Sequence, residues 1–169
     1  MSSILQTPTP DAARRIQRIQ VITIIWMSVE AAFVVDDYEP FRRFVCSMLE
    51  QSSDFQIVGE ASDGLEALQK AEELNPDLIF LDIGLPELNG IEACHRMSSV
   101  VPAAKIIFVT QNNDAETVRA ALSNGASGYV LKLDANNELL PAVEAVLQGG
   151  PIYQYACKAR RWNRSFGLT

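Results

Sequence analysis

Histidine occurs once in the 169-residue chain, as His95, and cysteine three times, as Cys46, Cys94 and Cys157, with no CxxC pair among them. So few soft ligands argue against a Cys/His zinc site, and isolated cysteines do not make a disulfide framework. A reducing, cytoplasmic setting is the expectation. Aromatic residues are scarce at 8%. The apolar positions are mostly Ala, Val, Leu and Ile, which suits helices layered on a sheet. Long hydrophobic runs are missing too. The longest, Val21 to Met27, is broken by Thr23 and falls far short of the ~20 residues that span a bilayer. The small-residue cleavage pattern of a secretory signal is absent as well. No membrane association is expected.

Charge is plentiful and unevenly placed. The net charge is −7. Asp11 against Arg14, Arg15 and Arg18 gives residues 1–29 a net +2, and Lys158, Arg160, Arg161 and Arg164 give 151–169 a net +4. The remainder, −13, falls on residues 30–150. Nucleic-acid affinity comes from neutralised phosphates, so this acidic body is a poor nucleic-acid surface and nucleic acid is not the expected partner. It is a natural place for a cation.

From Glu30 onward the chain alternates between two kinds of segment. Ala31–Val35, Gln56–Ala61, Leu78–Leu81, Ile106–Val109 and Gly128–Leu131 are short apolar runs of strand length. Between and after them come helical periodicities. Phe41, Phe44, Val45, Met48 and Leu49 follow Pro40, and Leu65, Leu68 and Ala71 end at Asn75-Pro76. Ile91, Cys94 and Met97 mark a third helix, and Ala115, Val118 and Leu122 a fourth that stops at Gly125. Leu139, Leu140, Val143, Val146 and Leu147 mark a fifth, stopped by Gly149-Gly150, with Pro141 placed near its first turn. Cys46 and Cys94 fall on apolar helix faces as inert core residues, and His95 at the surface. Five strand–helix units imply an α/β fold, a doubly wound five-stranded parallel sheet in a three-layer sandwich. Such sheets put their functional crevice outside the carboxyl ends of the strands.

Those ends carry Asp36-Asp37, Asp82, Thr110 and Lys132. Singly, each has a plain alternative: a solvated turn, a strand-end cap, an unremarkable threonine or lysine. Their joint occurrence on four strand ends is what points to a site. Converging carboxylates repel unless a cation sits among them. Oxygen-only ligands at an open site favour Mg²⁺, which often shares its shell with a phosphoryl group. A lysine and a threonine opposite can hold phosphoryl oxygens while one carboxylate acts as nucleophile.

The chain resembles the receiver domain of bacterial two-component response regulators. The matching residues are Val34-Val35-Asp36-Asp37, Asp63-Gly64-Leu65-Glu66-Ala67, Leu81-Asp82-Ile83-Gly84-Leu85-Pro86 with Asn89-Gly90, Val109-Thr110, Gly125-Ala126 and Gly128-Tyr129-Val130-Leu131-Lys132. The resemblance covers residues 30–150 and implies a flavodoxin-like (βα)5 sandwich. It further implies that Asp82 is the phosphoacceptor, and that Asp37, Asp82 and the Gly84 carbonyl bind Mg²⁺, with Asp36 acting largely through a water. Lys132 and Thr110 would contact the phosphoryl group, and Tyr129 would be the rotamer-switching aromatic paired with Thr110. The implied partners are a sensor histidine kinase or phosphotransfer protein and a downstream protein, with a homodimer open. The implied chemistry is limited to the domain's own phosphorylation and dephosphorylation, not turnover of a metabolite.

Two positions depart from the family pattern. Gln111 stands where a small residue is usual, at the rim of the expected phosphoryl pocket. Leu133 stands where proline or aspartate is common, so the Lys132–Leu133 peptide is expected to be trans. The 19 residues after Gly150 are too few for a helix-turn-helix domain, so a stand-alone receiver is expected, with 151–169 a basic tail. Residues 1–29 form a loose or docking N-terminal extension. Docking on a sheet edge, a dimer contact, and a stretch upstream of a true start at Met27 all stay open for it. Two competing functions remain: a small Mg²⁺-dependent phosphatase or phosphotransferase, and a DNA regulator acting through the basic tail. Gly84, two residues after Asp82, offers no general acid for the first.

Overall fold

The computed structural model describes residues 29–150. The expectations for the N-terminal extension before Val29, and for the basic tail with Cys157, lie outside the described residues. Within them β1 (Glu30–Val35), α1 (Glu39–Glu50), β2 (Phe55–Ala61), α2 (Gly64–Leu74) and β3 (Leu78–Leu81) follow one another. Then come α3 (Gly90–Val100), β4 (Lys105–Thr110), α4 (Ala115–Ser123), β5 (Gly128–Leu131), a 3-10 turn at Lys132–Asp134 and α5 (Ala135–Leu147). Every strand pairing is parallel, in the order β2-β1-β3-β4-β5. The expected doubly wound (βα)5 sandwich is what forms. The order of winding reverses between β1 and β3, and at such a switch point the adjoining loops part to leave a crevice.

Burial explains the strand composition. All four residues of β3, Leu78-Ile79-Phe80-Leu81, are buried, as a central parallel strand covered on both faces requires. Alternate side chains feed two cores. Phe33, Val35, Ile79, Leu81 and Phe108 meet Ala67, Ala71, Ala93, Cys94, Met97, Val118 and Ala121 of α2, α3 and α4 on one face. On the other, Val34, Leu78, Phe80, Ile107, Val109 and Val130 meet Val45 and Leu49 of α1 and Leu139, Val143 and Val146 of α5. Burial pushes the thiols of Cys46 and Cys94 up to about 11. Both stay protonated and unreactive at neutral pH.

The helix ends follow from their sequences. The Asp63 carboxylate accepts from the N–H groups of Leu65 and Glu66, while Glu66 reaches back to the Ser62 N–H, a reciprocal cap. Asn89 and Asp114 cap α3 and α4 through one side-chain oxygen each, accepting from the N–H of Glu92 and of Thr117. Asn75 closes α2 in the left-handed region at φ 44°, and Gly125 follows α4 at φ 103°.

Three local expectations are corrected. Leu65 is 49% exposed, because α2 turns Ala67 and Ala71 into the core. A Cβ on Gly64 would overlap the carbonyl of Leu88 in the loop after β3, so the helix starts hard against that loop. Phe44 sits at the margin of the α1 stripe, 36% exposed, with its ring 5.6 Å from that of Phe41. Pro141 lies inside α5 rather than at its first turn, since the helix already begins at Ala135. It faces solvent, where the carbonyl four residues earlier can be hydrated instead. No peptide bond among the described residues is cis, Lys132–Leu133 included. No helix among them is long and apolar enough to cross a membrane.

Candidate phosphoryl-transfer site

Asp36, Asp82 and Thr110 are the polar residues buried among the described ones, and all three stand just at or past strand ends. The sheet order brings them together. β1 and β3 are neighbours, so Asp36 and Asp82 lie side by side, and β4 and β5 add Thr110 and Lys132. Asp37 is exposed beside them, and carboxylate oxygens of Asp36, Asp37 and Asp82 lie within 4.8 Å of one another.

Lys132 is the internal cation. Its Nζ is 2.7 Å from Asp36 Oδ2 and 2.7 Å from Asp82 Oδ2, and 4.8 Å from the centre of the Phe41 ring. The Asp82 Oδ1 accepts from the Ile83 N–H at 2.7 Å and, more weakly, from the Gly84 N–H at 3.4 Å. Asp36 Oδ1 accepts from the Tyr38 N–H at 2.9 Å. Burial raises the Asp36 carboxyl above the ordinary carboxylate range, against the lowering effect of its Lys132 and Tyr38 hydrogen bonds. Burial pulls Lys132 down, but its bonds to Asp36 and Asp82 outweigh that and lift it overall. Three carboxylates stand around one ammonium, so the cluster holds more negative than positive charge.

That imbalance is the test of whether a metal fits. Asp37 makes no hydrogen bond or ion pair among the described residues, though two other carboxylates stand within reach. An all-oxygen cluster with one ammonium for three acids suits a hard divalent cation such as Mg²⁺. Gly84 lies exposed at the opening, with nothing within 4 Å of where a Cβ would stand.

Thr110 and Tyr129 are connected through the backbone of one residue. Thr110 Oγ1 lies 3.4 Å from the Asn112 N–H that it accepts from, and the fully buried Tyr129 donates its O–H to the Asn112 carbonyl at 2.7 Å. Gln111, between them, is exposed and lines a cavity of about 470 Å³ with Lys132, Phe41, Tyr38 and Leu133. Leu133 itself is 93% exposed.

Sequence reasoning missed four participants. Phe41 was read as core, yet it also covers Lys132. Arg42 donates from Nη1 to the Asp36 carbonyl at 2.6 Å and from Nε to Glu60 at 2.8 Å. Asn112 acts through its main chain, which no side-chain pattern reports. Gly90 entered as half of the matching Asn89-Gly90 pair, with no role given to it, but a Cβ there would overlap the Asp82 carbonyl. The Asn89-Gly90 pair was the available signal for that close approach.

Comparison with known proteins places these features in a family. The family model of the response regulator receiver domain matches residues 32–144. The transcriptional regulatory protein DegU of Brevibacillus brevis is 36% identical over 69% of this chain and 50% of its own length. A two-component response regulator of the LuxR family from Aurantimonas has a solved structure with TM-score 0.70 and 32% identity, covering 76% of this chain and 94% of that one. A DNA-binding response regulator of the LuxR family from Staphylococcus aureus has TM-score 0.66 and 26% identity, over 70% and 98% of the two chains. This chain spans about half the length of the curated relatives it matches. The expectation that nucleic acid is an unlikely partner is therefore not consistent with these relatives. It rested on the acidity of residues 30–150, whereas relatives sharing this domain are named as transcriptional regulators and DNA-binding proteins.

The two glycines give a paired prediction. Gly90→Ala forces the Asp82 backbone to move and should destabilise the fold by more than about 2 kcal/mol. Gly84→Ala enters open space and should shift stability by less than about 0.5 kcal/mol. Thermal melting of both variants decides it, and equal melting temperatures would contradict the account of Gly90.

Proposed function

The chain belongs to the response regulator receiver domain family, and from that premise we propose that it is a phosphorylation-dependent signalling switch with Asp82 as phosphoacceptor. The observation that carries this is Lys132 bridging Asp36 and Asp82, with Asp37 beside them and without a hydrogen bond or ion pair among the described residues. The Asp82 carboxylate attacks the phosphorus of a phosphohistidine on a sensor kinase or phosphotransfer protein. The P–N bond breaks, its electron pair leaves with the imidazole, and an acyl phosphate forms on Asp82. Before transfer the Ile83 N–H holds one carboxylate oxygen and so fixes the angle of attack.

Lys132 then passes from the Asp82 oxygen to a phosphoryl oxygen, keeping its bond to Asp36. Thr110 accepts from Asn112, so its own hydroxyl proton remains available for a second phosphoryl oxygen. Asp37, Asp82 and the Gly84 carbonyl would hold Mg²⁺, with Asp36 acting through a water. Mg²⁺ when bound supplies positive charge against the carboxylates and the incoming phosphoryl group.

The step that makes this a switch runs through Asn112. If Thr110 turns toward the phosphoryl group, its bond to the Asn112 N–H changes, and the Asn112 carbonyl carries the Tyr129 hydroxyl with it. The 111–113 loop and the start of α4 are thereby coupled to the state of Asp82, and this surface meets the downstream partner. The chemistry stays confined to the domain's own phosphorylation and dephosphorylation. A metabolite phosphatase is disfavoured by Gly84, which cannot serve as general acid. A transcriptional output is the second reading, favoured by the names of the relatives. Salt-sensitive binding of duplex DNA by the phosphorylated chain is its test.

Incubation with Mg²⁺ and acetyl phosphate should add one phosphoryl group by intact mass, and Asp82→Asn should abolish the addition while the protein still melts cooperatively. A mass shift that survives the substitution removes Asp82 from its role.

Gln111 shapes the rate. A long amide at the cavity rim crowds both a small donor and the water that hydrolyses the acyl phosphate. Gln111→Ala should speed both gain and loss of the phosphoryl group several-fold, with Mg²⁺ affinity nearly unchanged. Slower loss in the variant would instead assign the amide to orienting that water.

A further inference from the structure

Asp37 presents a problem of aim. Its carboxylate is exposed and makes no hydrogen bond or ion pair among the described residues, yet it stands within 4.8 Å of its two acidic neighbours. Repulsion alone would turn it outward. Its side chain is placed only by the backbone that carries it, so the question becomes what fixes the peptide between Asp36 and Asp37.

The Asp36 N–H is held from β2, donating to the Ala61 carbonyl at 3.1 Å. The Asp36 carbonyl is past the end of β1 and has no strand partner. It accepts instead from Arg42 Nη1 at 2.6 Å, across from the first turns of α1. The Arg42 side chain is only 16% exposed, and its Nε is committed to Glu60 of β2 at 2.8 Å. A guanidinium offers its donors in a rigid fork. With Nε fixed by Glu60, the Nη1 direction toward the carbonyl is fixed too. Both faces of the Asp36 residue are therefore pinned to β2, one directly and one through the Arg42–Glu60 pair.

We propose that Arg42, oriented by Glu60, is the positioning residue of the acidic turn, holding the Asp36–Asp37 peptide so that the Asp37 carboxylate points into the cation site. This rests on the switch reading given above. The neighbouring residue on the same turn of α1, Phe41, covers Lys132. One helical turn thus braces the acidic side of the site and its ammonium together. Electrostatics alone would give the opposite sign, because removing a nearby cation should tighten Mg²⁺ binding. The geometry predicts that it loosens.

The test uses the full chain, MgCl₂ as probe, and two readouts. One is the Mg²⁺ concentration giving half of the maximal rise in melting temperature. The other is the rate of phosphoryl gain from acetyl phosphate at saturating Mg²⁺. Arg42→Ala should raise the half-saturating Mg²⁺ concentration by about 10-fold, as removal of a group supporting a metal ligand does, while the saturated rate stays within about 3-fold. Arg42→Lys keeps one donor on a flexible stem and should lie between wild type and Arg42→Ala. Glu60→Gln loosens the fork and should raise half-saturation by about 3-fold, the weight of one ordinary hydrogen bond. Should Arg42→Ala fail to fold, the other two variants decide the matter. Half-saturation equal to or below that of wild type in the folded variants overturns the clamp. A wild-type chain whose melting ignores Mg²⁺ overturns the switch reading and the clamp with it.

Discussion

Lys132 reaches across the ends of the strands to lie 2.7 Å from both Asp36 and Asp82, two buried side chains, and buried charge is costly unless it is paired. Removing one partner of such a cluster leaves an uncompensated buried charge, which destabilises far more than a surface pair stabilises. The rest of the site is arranged around this constraint. Phe41 covers the ammonium, the Ile83 N–H occupies the far oxygen of Asp82, and Gly90 lets α3 approach closely enough to hold the Asp82 backbone in place. The buried members of the cluster are hydrogen-bonded, yet it remains short of positive charge, which leaves room for a cation such as Mg²⁺.

The topology explains why this shortfall can exist at all. A parallel sheet brings all its strand ends to one edge, and the switch between β1 and β3 sets two of the acids side by side. The apolar strands beneath supply rigidity. All four residues of β3 are buried, so Asp82 follows a strand packed on both faces along its whole length. The 111–113 loop is by contrast exposed, and Asn112 ties it to Thr110 and Tyr129 on one side and to Asp114 and Thr117 at the start of α4 on the other.

Much of this was legible in the residues, for physical reasons. Runs such as Leu78–Leu81 have one explanation in a chain of this composition, and each of four runs ends in a residue of phosphoryl chemistry. The rotational settings of α1 and α2 were not legible, because periodicity favours large apolar residues while crowded contacts select small ones. Leu65 was taken for core, whereas Ala67 and Ala71 are the residues that enter it. Pro141 was misplaced because the start of α5 depends on the turn at Lys132–Asp134, which carries no strong cap signal. Arg42 and Asn112 were invisible for a different reason. Both act on or through backbone carbonyls, whose directions follow only from the folded chain. The acidity of residues 30–150 was real, but it says little about what a longer relative does with its other half.

Melting temperature as a function of MgCl₂ reads whether the carboxylate cluster lacks one divalent cation on account of Asp37, since a ligand that binds only the folded state stabilises by mass action. Millimolar Mg²⁺ should raise the wild-type melting temperature. Asp37→Ala should melt higher than wild type without metal and no longer respond to Mg²⁺. Wild-type melting that is indifferent to Mg²⁺, or an Asp37→Ala protein that still responds in full, rules this out.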